Sequence, residues 1–392
     1  MEFNQITTLC AAVLMYLVGD VLVRRIGVLN RFCIPAPVVG GLIFAIAVTL
    51  FRGTGIVSIV LDTSLQSLFM VTFFTTIGLG ASFRLVRLGG RLLVIYWVMC
   101  GVLAFAQNVI GVSLASVMGV HPLIGVMAGA VSMEGGHGAA AAYGQTIESL
   151  GIPSAVTIGL AAATFGLVAG GLVGGPVAQH LIHKFDLKPS AEEAEDFVDA
   201  EKQEVAYHSF MVQVFLITVC MAVGVYLGAL FSSWTGFVLP GYVGAMFTAV
   251  VLRNIVDRVH PKWINMHEIN LIGDVSLAVF LSMALMSIKL WELADLALPL
   301  LVIVFMQVVF IVLLAIFVMF RLLGRDYDAA VMVSGFLGHG LGATPNAMAN
   351  MGAITERFGP SRKAFLIVPI VGAFLIDVFG MPIIITTINL FK

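Results

Sequence analysis

Stretches of mostly apolar residues alternate with short polar loops along the chain, and ten of them approach the length of a membrane span. A helix that crosses the hydrocarbon core of a bilayer needs about 20 such residues. The stretches cover residues 5–23, 35–51, 64–82, 92–118, 154–182, 208–231, 236–252, 270–288, 295–320 and 364–390. The pattern predicts an all-α integral membrane protein with ten transmembrane helices.

Two further apolar segments, 122–150 and 328–355, are too rich in glycine and alanine to be ordinary spans. The motif GGHG at 135–138 in the first segment recurs 202 positions later (339 − 137) as LGHG at 337–340. Paired interrupted segments at corresponding points of two halves are typical of the binding site of a secondary transporter. Broken backbone at this depth is tolerated only inside protein or beside a water-filled cavity. Each segment is therefore predicted to be a re-entrant hairpin of two half-helices, in which the GHG motif forms the turn between them.

The basic residues sort onto one side of the membrane if both segments are re-entrant. Seventeen of the 20 Lys and Arg residues then lie on one side, which is cytoplasmic by the positive-inside rule. The other three (Arg52, Lys289 and Lys392) lie outside, as do both termini.

This arrangement places five spans in each half, with each hairpin between the fourth and fifth helices. Because five is an odd number, the second half is inverted, as in alternating-access carriers. The predicted organisation is a first repeat at 1–183, a cytoplasmic linker at 184–207 and a second repeat at 208–392.

Composition and charge narrow the class of protein further. Hydrophobic residues make up 60% of the chain and charged residues 11%, whereas soluble domains carry about 25% charged residues. The formal net charge of −2 gives no reason to expect nucleic-acid binding. The four cysteines show neither metal-ligand spacing nor a disulfide framework. Neither HExxH nor GxSxG occurs, so we expect a transporter without a cofactor and not an enzyme.

The two glycine motifs are the candidate substrate site. A helix that starts inside the membrane presents unpaired N–H groups and the positive end of its dipole, and both attract anions. The alternative is that these glycines serve close helix packing. His137 and His339 could bind a carboxylate or carry a proton, or tie each turn together by hydrogen bonds. The candidates are Ser132, Glu134, Gly135, Gly136, His137, Gly138, Ala139, Gly338, His339, Gly340, Gly342, Thr344 and Asn346.

Asp377 lies halfway along the last predicted span. An ionisable group at that depth costs at least about 2.5–3.5 kcal/mol, so it indicates a functional site. Its carboxylate suits a sodium ion or a proton, and the alternative is a hydrogen-bonded tie between helices. We predict a sodium site formed by Asp377 with Thr344, Asn346 and Asn350.

Three other features bear on the chemistry. Glu134 is a candidate functional residue for the same reason as Asp377. At the mouth of a water-filled cavity, however, its charge would cost little free energy. Thr75 and Thr76 are expected to bond back to their own helix. No Lys or Arg falls within the apolar core of a predicted span. An anionic substrate would therefore need helix N-termini and a co-bound cation, which fits a symporter.

Long motifs connect these features to a known family. The second glycine segment continues as GHGLGATPNAMANMGAITERFGPSRKAFLIVPIVGAFLIDVFGMP, and the chain also contains SLQSLFMVTFFTTIGLGASFRL and LPLLVIVFMQ. With GGHG in the first half, the chain closely resembles the bacterial sodium/glutamate symporter family over nearly its whole length. The resemblance implies a sodium-coupled carrier of L-glutamate in the cell inner membrane, built from two inverted five-helix halves with opposed re-entrant loops. Related folds work as homodimers by an elevator-type motion. By this analogy of fold, we expect a homodimer and an elevator-type motion here.

The chain departs from the family pattern in the first loop. The family tends to read GGHGTG, whereas this chain reads GGHGAA, with Ala139 and Ala140 in place of Thr and Gly. Glu134 stands where a small hydroxyl residue is usual. Both changes lie beside the expected substrate site. The alternatives are a sodium- or proton-coupled carrier of another small dicarboxylate or amino acid and, in a different class, a passive channel with paired re-entrant loops.

Overall fold

The structure is a computed structural model that describes residues 2–31, 34–53, 59–189, 206–260, 263–288 and 296–392. Most of the predicted 184–207 linker lies outside the described residues. Two short strands, β1 (Glu2–Phe3) and β2 (Val60–Leu61), pair in parallel. The helices are α1 Gln5–Arg25, α2 Gly27–Arg31, α3 Ala36–Gly53, α4 Gln66–Gly80, α5 Phe83–Val117, α6 Pro122–Val126, α7 Gly136–Ser149, α8 Ala155–Phe185, α9 Tyr207–Thr235, α10 Gly241–Val259, α11 Met266–Met286, α12 Ala297–Leu314, α13 Phe320–Leu322, α14 Tyr327–Gly340, α15 Thr344–Phe358, α16 Arg362–Ile370 and α17 Ile376–Phe391.

Seven helices in the described part of the chain are long and apolar enough to cross a membrane. The spans are Gln5–Arg25, Gly89–Val117, Ala155–Phe185, Tyr207–Thr235, Met266–Met286, Ala297–Leu322 and Arg362–Phe391. Each overlaps one of the spans predicted from the sequence. The protein is therefore an all-helical, multi-pass membrane protein.

The three other predicted spans are helical but differ from these seven. The spans predicted at 35–51 and 64–82 form α3 and α4, whose apolar portions Ala36–Phe51 and Gln66–Gly80 are shorter. The span predicted at 236–252 forms α10, which continues into a polar end that carries Arg253, Asp257 and Arg258. The total of ten spans stays a prediction.

The chain forms two compact units. The first contains Met1–Gly27, Pro35–Arg84 and Ala200–Glu292, and the second contains Val28–Ile34, Leu85–Asp199 and Leu293–Lys392. Each unit draws helices from both halves of the sequence. Packing therefore does not follow the division into an N-terminal and a C-terminal half, and the two inverted repeats stay a prediction.

In the first unit, α4 packs against α10 and α11. Leu79 of α4, Cys220 of α9, Ala249 of α10 and Ile269 of α11 form part of one buried cluster. The Thr75 and Thr76 hydroxyl groups donate to the carbonyl oxygens of Val71 and Phe73, both at 2.7 Å. The expectation that these threonines bond back to their own helix is confirmed.

In the second unit, α8 packs against α7, α14 and α15. Small residues on α8 allow these helices to approach closely. A methyl group built at Gly166 would lie 3.1 Å from Cε of Met133, and one built at Gly170 would lie 2.9 Å from Nδ2 of Asn346. Both glycine-rich segments of the sequence therefore lie against one long helix.

Candidate functional site

The first glycine-rich segment is a pair of helices with a break between them. His121 precedes α6, and its Nδ1 accepts a hydrogen bond from the N–H of Leu123 at 3.3 Å. The helix continues as a π-helical turn over Met127–Val131, in which Gly129 leaves the helical conformation (φ −97°, ψ −134°). After a break at 134–135, α7 begins at Gly136, whose φ of +61° favours glycine.

The second glycine-rich segment is also two helices. The side chain of Asp326 caps α14, accepting a hydrogen bond from the N–H of Ala329 at 2.8 Å. The break covers 341–343, where Ala343 is fully extended, and α15 begins at Thr344. Pro345 lies in the first turn of α15, where a missing N–H costs nothing because that group would have no helical partner.

The two GHG motifs occupy different positions relative to the breaks. His137 lies in the first turn of α7, whereas His339 lies in the last turn of α14. The prediction that GHG forms the turn itself in both copies is wrong for the second copy. There, Pro345 fixes the start of α15 beyond the motif, so the chain breaks after Gly340 rather than before it.

The two breaks lie against each other. A side-chain carbon built at Gly136 would be 2.8 Å from the Gly342 carbonyl oxygen. Gly338 lies instead where α14 meets α15, because a carbon built there would be 2.7 Å from Cα of Ala347. Positive φ is therefore required at Gly136, and close helix approach is required at Gly338.

The remaining small residues of the two motifs surround this meeting point. Gly135 and Gly138 are half-buried beside the first break, and Ala139 is buried in the first turn of α7. Gly340 ends α14, and a carbon built at Gly342 would lie 3.0 Å from Cα of Leu167 on α8. The two breaks therefore lie close to α8.

Ser132 and His137 fasten the first segment to α8. The Ser132 hydroxyl is within hydrogen-bonding distance of the carbonyl oxygens of Met127 and, at 2.8 Å, Gly159. His137 Nε2 lies 2.9 Å from the Thr164 hydroxyl, which itself donates to the Leu160 carbonyl oxygen. Because that hydroxyl proton is committed, His137 Nε2 donates, which makes His137 a tie between α7 and α8.

His339 differs from His137. It is buried, and its Nδ1 has no hydrogen-bond partner among the described residues. A carbon built at Gly372 would lie 2.6 Å from this Nδ1 and 2.8 Å from the Thr344 hydroxyl. His339 and Thr344 therefore both approach the last span at Gly372.

Asn346 and Asn350 hold α15 against α8. Asn346 Nδ2 donates to the Leu167 carbonyl oxygen at 3.0 Å, and Asn350 Nδ2 donates to the Gly170 carbonyl oxygen at 3.1 Å. Their amide nitrogens are thus structural. The Asn346 Oδ1 atom is buried without a partner in the described part of the chain, so it can accept a hydrogen bond or bind a cation.

Two carboxyl groups lie near the first break. Asp377 is half-buried in the first turn of α17, directly after the π-helical turn Val371–Leu375. Glu134 is only 8% exposed, and neither carboxyl oxygen has a hydrogen-bond partner within the described ranges. The two groups are close enough to interact electrostatically. The interpretation that Glu134 lies at a cavity mouth is therefore wrong, because its side chain is buried.

Three buried amide residues were missed by the sequence analysis. Gln107 and Asn108 lie on α5, and Gln307 lies on α12. Asn108 Oδ1 accepts from the Ala130 N–H, and Gln107 Nε2 donates to the Gly340 carbonyl oxygen. Adjacent residues of α5 therefore contact both broken segments. Their signal was an uncharged polar side chain inside an apolar span, which is uncommon in membrane helices unless it bonds to another helix.

Comparison with known proteins gives a consistent result. The sodium/glutamate symporter family model matches residues 1–360. A sodium/glutamate symporter of Haemophilus influenzae is 43% identical over 386 residues, which cover 96% of this chain and 95% of that protein. A sodium/glutamate symporter of Escherichia coli is 42% identical over 390 residues, which cover 98% of this chain and 97% of that protein.

Among solved structures, the sodium proton antiporter MjNhaP1 from Methanocaldococcus jannaschii covers 98% of this chain and 95% of its own, at 14% identity. Its TM-score of 0.43 is too low to indicate a shared fold. The sequence relationship is independent of that comparison. The matches extend over nearly the full length of the chain, which therefore belongs to the sodium/glutamate symporter family, a family of transporters and not of enzymes.

Proposed function

We propose that the protein is a sodium-driven symporter that carries L-glutamate into the cell by alternating access. The observation that carries the proposal is the approach of Gly136 to Gly342, which brings two helix breaks together inside an apolar protein. A broken helix in a membrane protein supplies backbone groups for a polar ligand where lipid supplies none. Family membership supports glutamate and sodium as the ligands.

The proposed substrate site lies where the two breaks meet. The helices α7 and α15 both begin there, so their first N–H groups and the positive ends of their dipoles favour the carboxylates of glutamate. The backbone of 135–139 and 338–342 provides most of this surface, with side chains from His339, Thr344 and Asn346. Ser132 and His137 hold the first segment against α8 and do not contact the substrate themselves, because their polar atoms already bond to Gly159 and Thr164.

The proposed sodium site is next to it. Asp377 supplies a carboxylate that makes no hydrogen bond or ion pair with the described residues, and Glu134 adds a second negative charge nearby. Two such groups in a low-dielectric interior favour a bound cation. Asn346 and Asn350 offer amide oxygens, and the Thr344 hydroxyl approaches the last span at Gly372. That glycine is about one and a half helical turns before Asp377.

The proposed membrane arrangement has ten spans in two inverted repeats, 1–183 and 208–392, with re-entrant hairpins at 122–150 and 328–355. We place it in the inner membrane, with both termini periplasmic and the 184–207 linker cytoplasmic. By analogy of fold, the protein would act as a homodimer with an elevator-type motion. The support is the distribution of basic residues described above.

Cysteine labelling tests this topology. In a background without native cysteines, a cysteine placed in the 184–207 linker is expected to react only from the cytoplasmic side. Cysteines at positions 2 and 392 are expected to react only from the periplasmic side, because an odd number of spans separates the linker from each terminus. Labelling of the linker and either terminus from the same side would contradict the inverted repeats.

A carrier of another small dicarboxylate or amino acid, coupled to sodium or protons, is the alternative. Glu134 and Ala139 support it, because both depart from the family pattern beside the proposed substrate site. Counterflow in liposomes separates the two functions. Vesicles loaded with unlabelled glutamate are expected to take up labelled glutamate only with sodium present, and other dicarboxylates inside should not replace it. Equal exchange in choline buffer, or better exchange with another anion, would favour the alternative.

Ala139 offers a test of where the substrate lies. It is buried in the first turn of α7, next to Gly135. Ala139→Thr adds a hydroxyl that can bond to a carboxylate, and a hydrogen bond to a charged group changes affinity by about tenfold or more. We expect a shift in the competition between glutamate and aspartate, measured in the same vesicles. Unchanged competition curves would place this position away from the substrate.

A further inference from the structure

Two glutamines flank the end of α14. A carbon built at Gly340 would lie 2.5 Å from Cδ2 of Leu103 on α5 and 2.5 Å from Cδ1 of Ile311 on α12. Gln107 is four residues after Leu103, and Gln307 is four residues before Ile311. Because residues four apart lie on the same face of a helix, both glutamines lie on the faces of α5 and α12 that pack around Gly340.

The orientation of both amide groups is fixed by their partners. Gln107 Nε2 donates to the Gly340 carbonyl oxygen at 2.8 Å, and Gln307 Nε2 donates to the Gln107 backbone carbonyl oxygen at 2.8 Å. A carbonyl oxygen can only accept, so a reversed amide would place two acceptors against each other. The nitrogens therefore face the backbone, and each Oε1 is left on the other side of its amide.

These two oxygens have no donor. Both glutamines are 0% exposed, and neither Oε1 atom has a hydrogen-bond partner in the part of the chain that the structure describes. Asn108, the neighbour of Gln107, shows the contrast. Its Oδ1 accepts from the Ala130 N–H at 3.3 Å, and its Nδ2 donates to the Thr387 hydroxyl at 3.3 Å. A purely structural amide in this region is satisfied at both ends, whereas the glutamines are not.

The surroundings favour a positively charged partner for these oxygens. Amide oxygens accept hydrogen bonds and bind hard cations, and a buried acceptor without a donor is costly. The carbonyl end of α14 at Gly340 adds the negative end of a helix dipole at the same place.

We propose that Oε1 of Gln107 and Oε1 of Gln307 bind a positively charged group during transport. This inference rests on the proposed function, in which two such groups travel: the sodium ion and the α-ammonium group of glutamate. Neutral oxygen ligands beside the negative end of a helix dipole suit either the sodium ion or the ammonium group. If the ammonium group is the partner, the two glutamines are what distinguishes an amino acid from a plain dicarboxylate.

The experiment compares Gln107→Met and Gln307→Met with Gln107→Glu and Gln307→Glu in the full-length protein. Methionine keeps the approximate length but removes both polar atoms, whereas glutamate keeps an oxygen and removes the amide nitrogen. Binding of radioactive sodium is measured in detergent without glutamate. Uptake into liposomes is measured with glutamate in competition with glutarate, which lacks the ammonium group.

A sodium partner predicts that the methionine variants bind sodium roughly tenfold to hundredfold more weakly, as for the loss of a bond to a charged group. An ammonium partner predicts unchanged sodium binding and a similar loss of preference for glutamate over glutarate. In both cases the glutamate variants strengthen the property that the methionine variants lose, because an oxygen remains and gains a negative charge. Gln213→Met is the matched control, because Gln213 is a buried glutamine of the first unit whose amide donates to the Trp263 carbonyl oxygen and accepts from the Asn265 N–H. This variant should lower stability without changing either property.

Folded methionine variants with unchanged sodium binding and unchanged preference would overturn the inference. So would equal losses in the methionine and glutamate variants, because those would assign the effect to the amide nitrogens. If a methionine variant does not fold, the glutamate variant decides. Its added charge must strengthen sodium binding or the preference for glutamate, and no change in both counts against the site. Absence of sodium-driven glutamate uptake by the parent protein would instead contradict the proposed function.

Discussion

Gly136→Val and Gly338→Val are each expected to reduce sodium-driven glutamate uptake by about a hundredfold or more, while the protein remains in the membrane. Valine is strained at the φ of +61° that Gly136 adopts, and its side chain would meet the Gly342 carbonyl oxygen. At Gly338 the added carbon would lie 2.7 Å from Cα of Ala347, which forces α14 and α15 apart. A displacement of about 1 Å at a binding site can cost a hundredfold in rate.

Two other glycines provide matched controls for these variants. Gly175 on α8 and Gly352 on α15 belong to the same unit, and a carbon built at either has no neighbour within 4 Å. Gly175→Val and Gly352→Val are therefore expected to keep uptake within about twofold of the parent, since substitutions at open surface positions have small effects. The measurements are initial uptake rates in proteoliposomes, normalised to the amount of inserted protein. Retained transport in both Gly136→Val and Gly338→Val would show that these glycines serve helix packing and not substrate binding.

Asp377→Asn is expected to raise the sodium concentration that half-saturates glutamate uptake by at least about tenfold. The substitution keeps the shape of the side chain but removes the charge, and an interaction with an ion is worth at least as much as a charged hydrogen bond. Thermal stability should change little or rise, because the carboxylate has no ion-pair partner among the described residues whose loss would leave a charge uncompensated. Sodium activation curves and thermal unfolding of the purified protein check both parts.

Asp20 supplies the control for this second prediction. It also lies on an apolar helix, α1, but it forms an ion pair with Arg24 at 3.0 Å. Asp20→Asn should leave the sodium activation curve unchanged, since exposed ion pairs contribute little. If Asp377→Asn keeps the parent's half-saturating sodium concentration and moves the same charge per glutamate, Asp377 is a tie between helices and not an ion ligand.

The apolar pattern was sufficient to locate the long helices, because the bilayer sets both their length and their composition. The repeat of GHG after 202 positions also located two segments that each contain a pair of helices. The exact break could not be placed in the same way. In the second segment the position of the break depends on Pro345 as well as on the glycines. Pro345 is not part of the repeated motif, so a comparison of the two copies does not reveal its effect.

The candidate site was less accessible to sequence reasoning, because it depends on which helices pack together. The sequence was compatible with either a buried or an exposed Glu134, and only the folded structure shows that its side chain is buried. Gln107 and Gln307 were overlooked because each is one polar residue in an apolar run, and only the packing of α5 and α12 around Gly340 connects them. The ionisable residues, by contrast, were identified in advance because a charge in a span is rare enough to be noticed alone.

Concentrative uptake is the most direct test of the central claim that two meeting helix breaks serve a sodium-coupled glutamate carrier. Liposomes that contain the purified protein are given an inward sodium gradient and labelled glutamate at equal concentrations inside and outside. We expect internal glutamate to rise above the external concentration and to fall back when an ionophore collapses the sodium gradient. Glutamate that only equilibrates, whatever the sodium gradient, would contradict the account and indicate a passive channel.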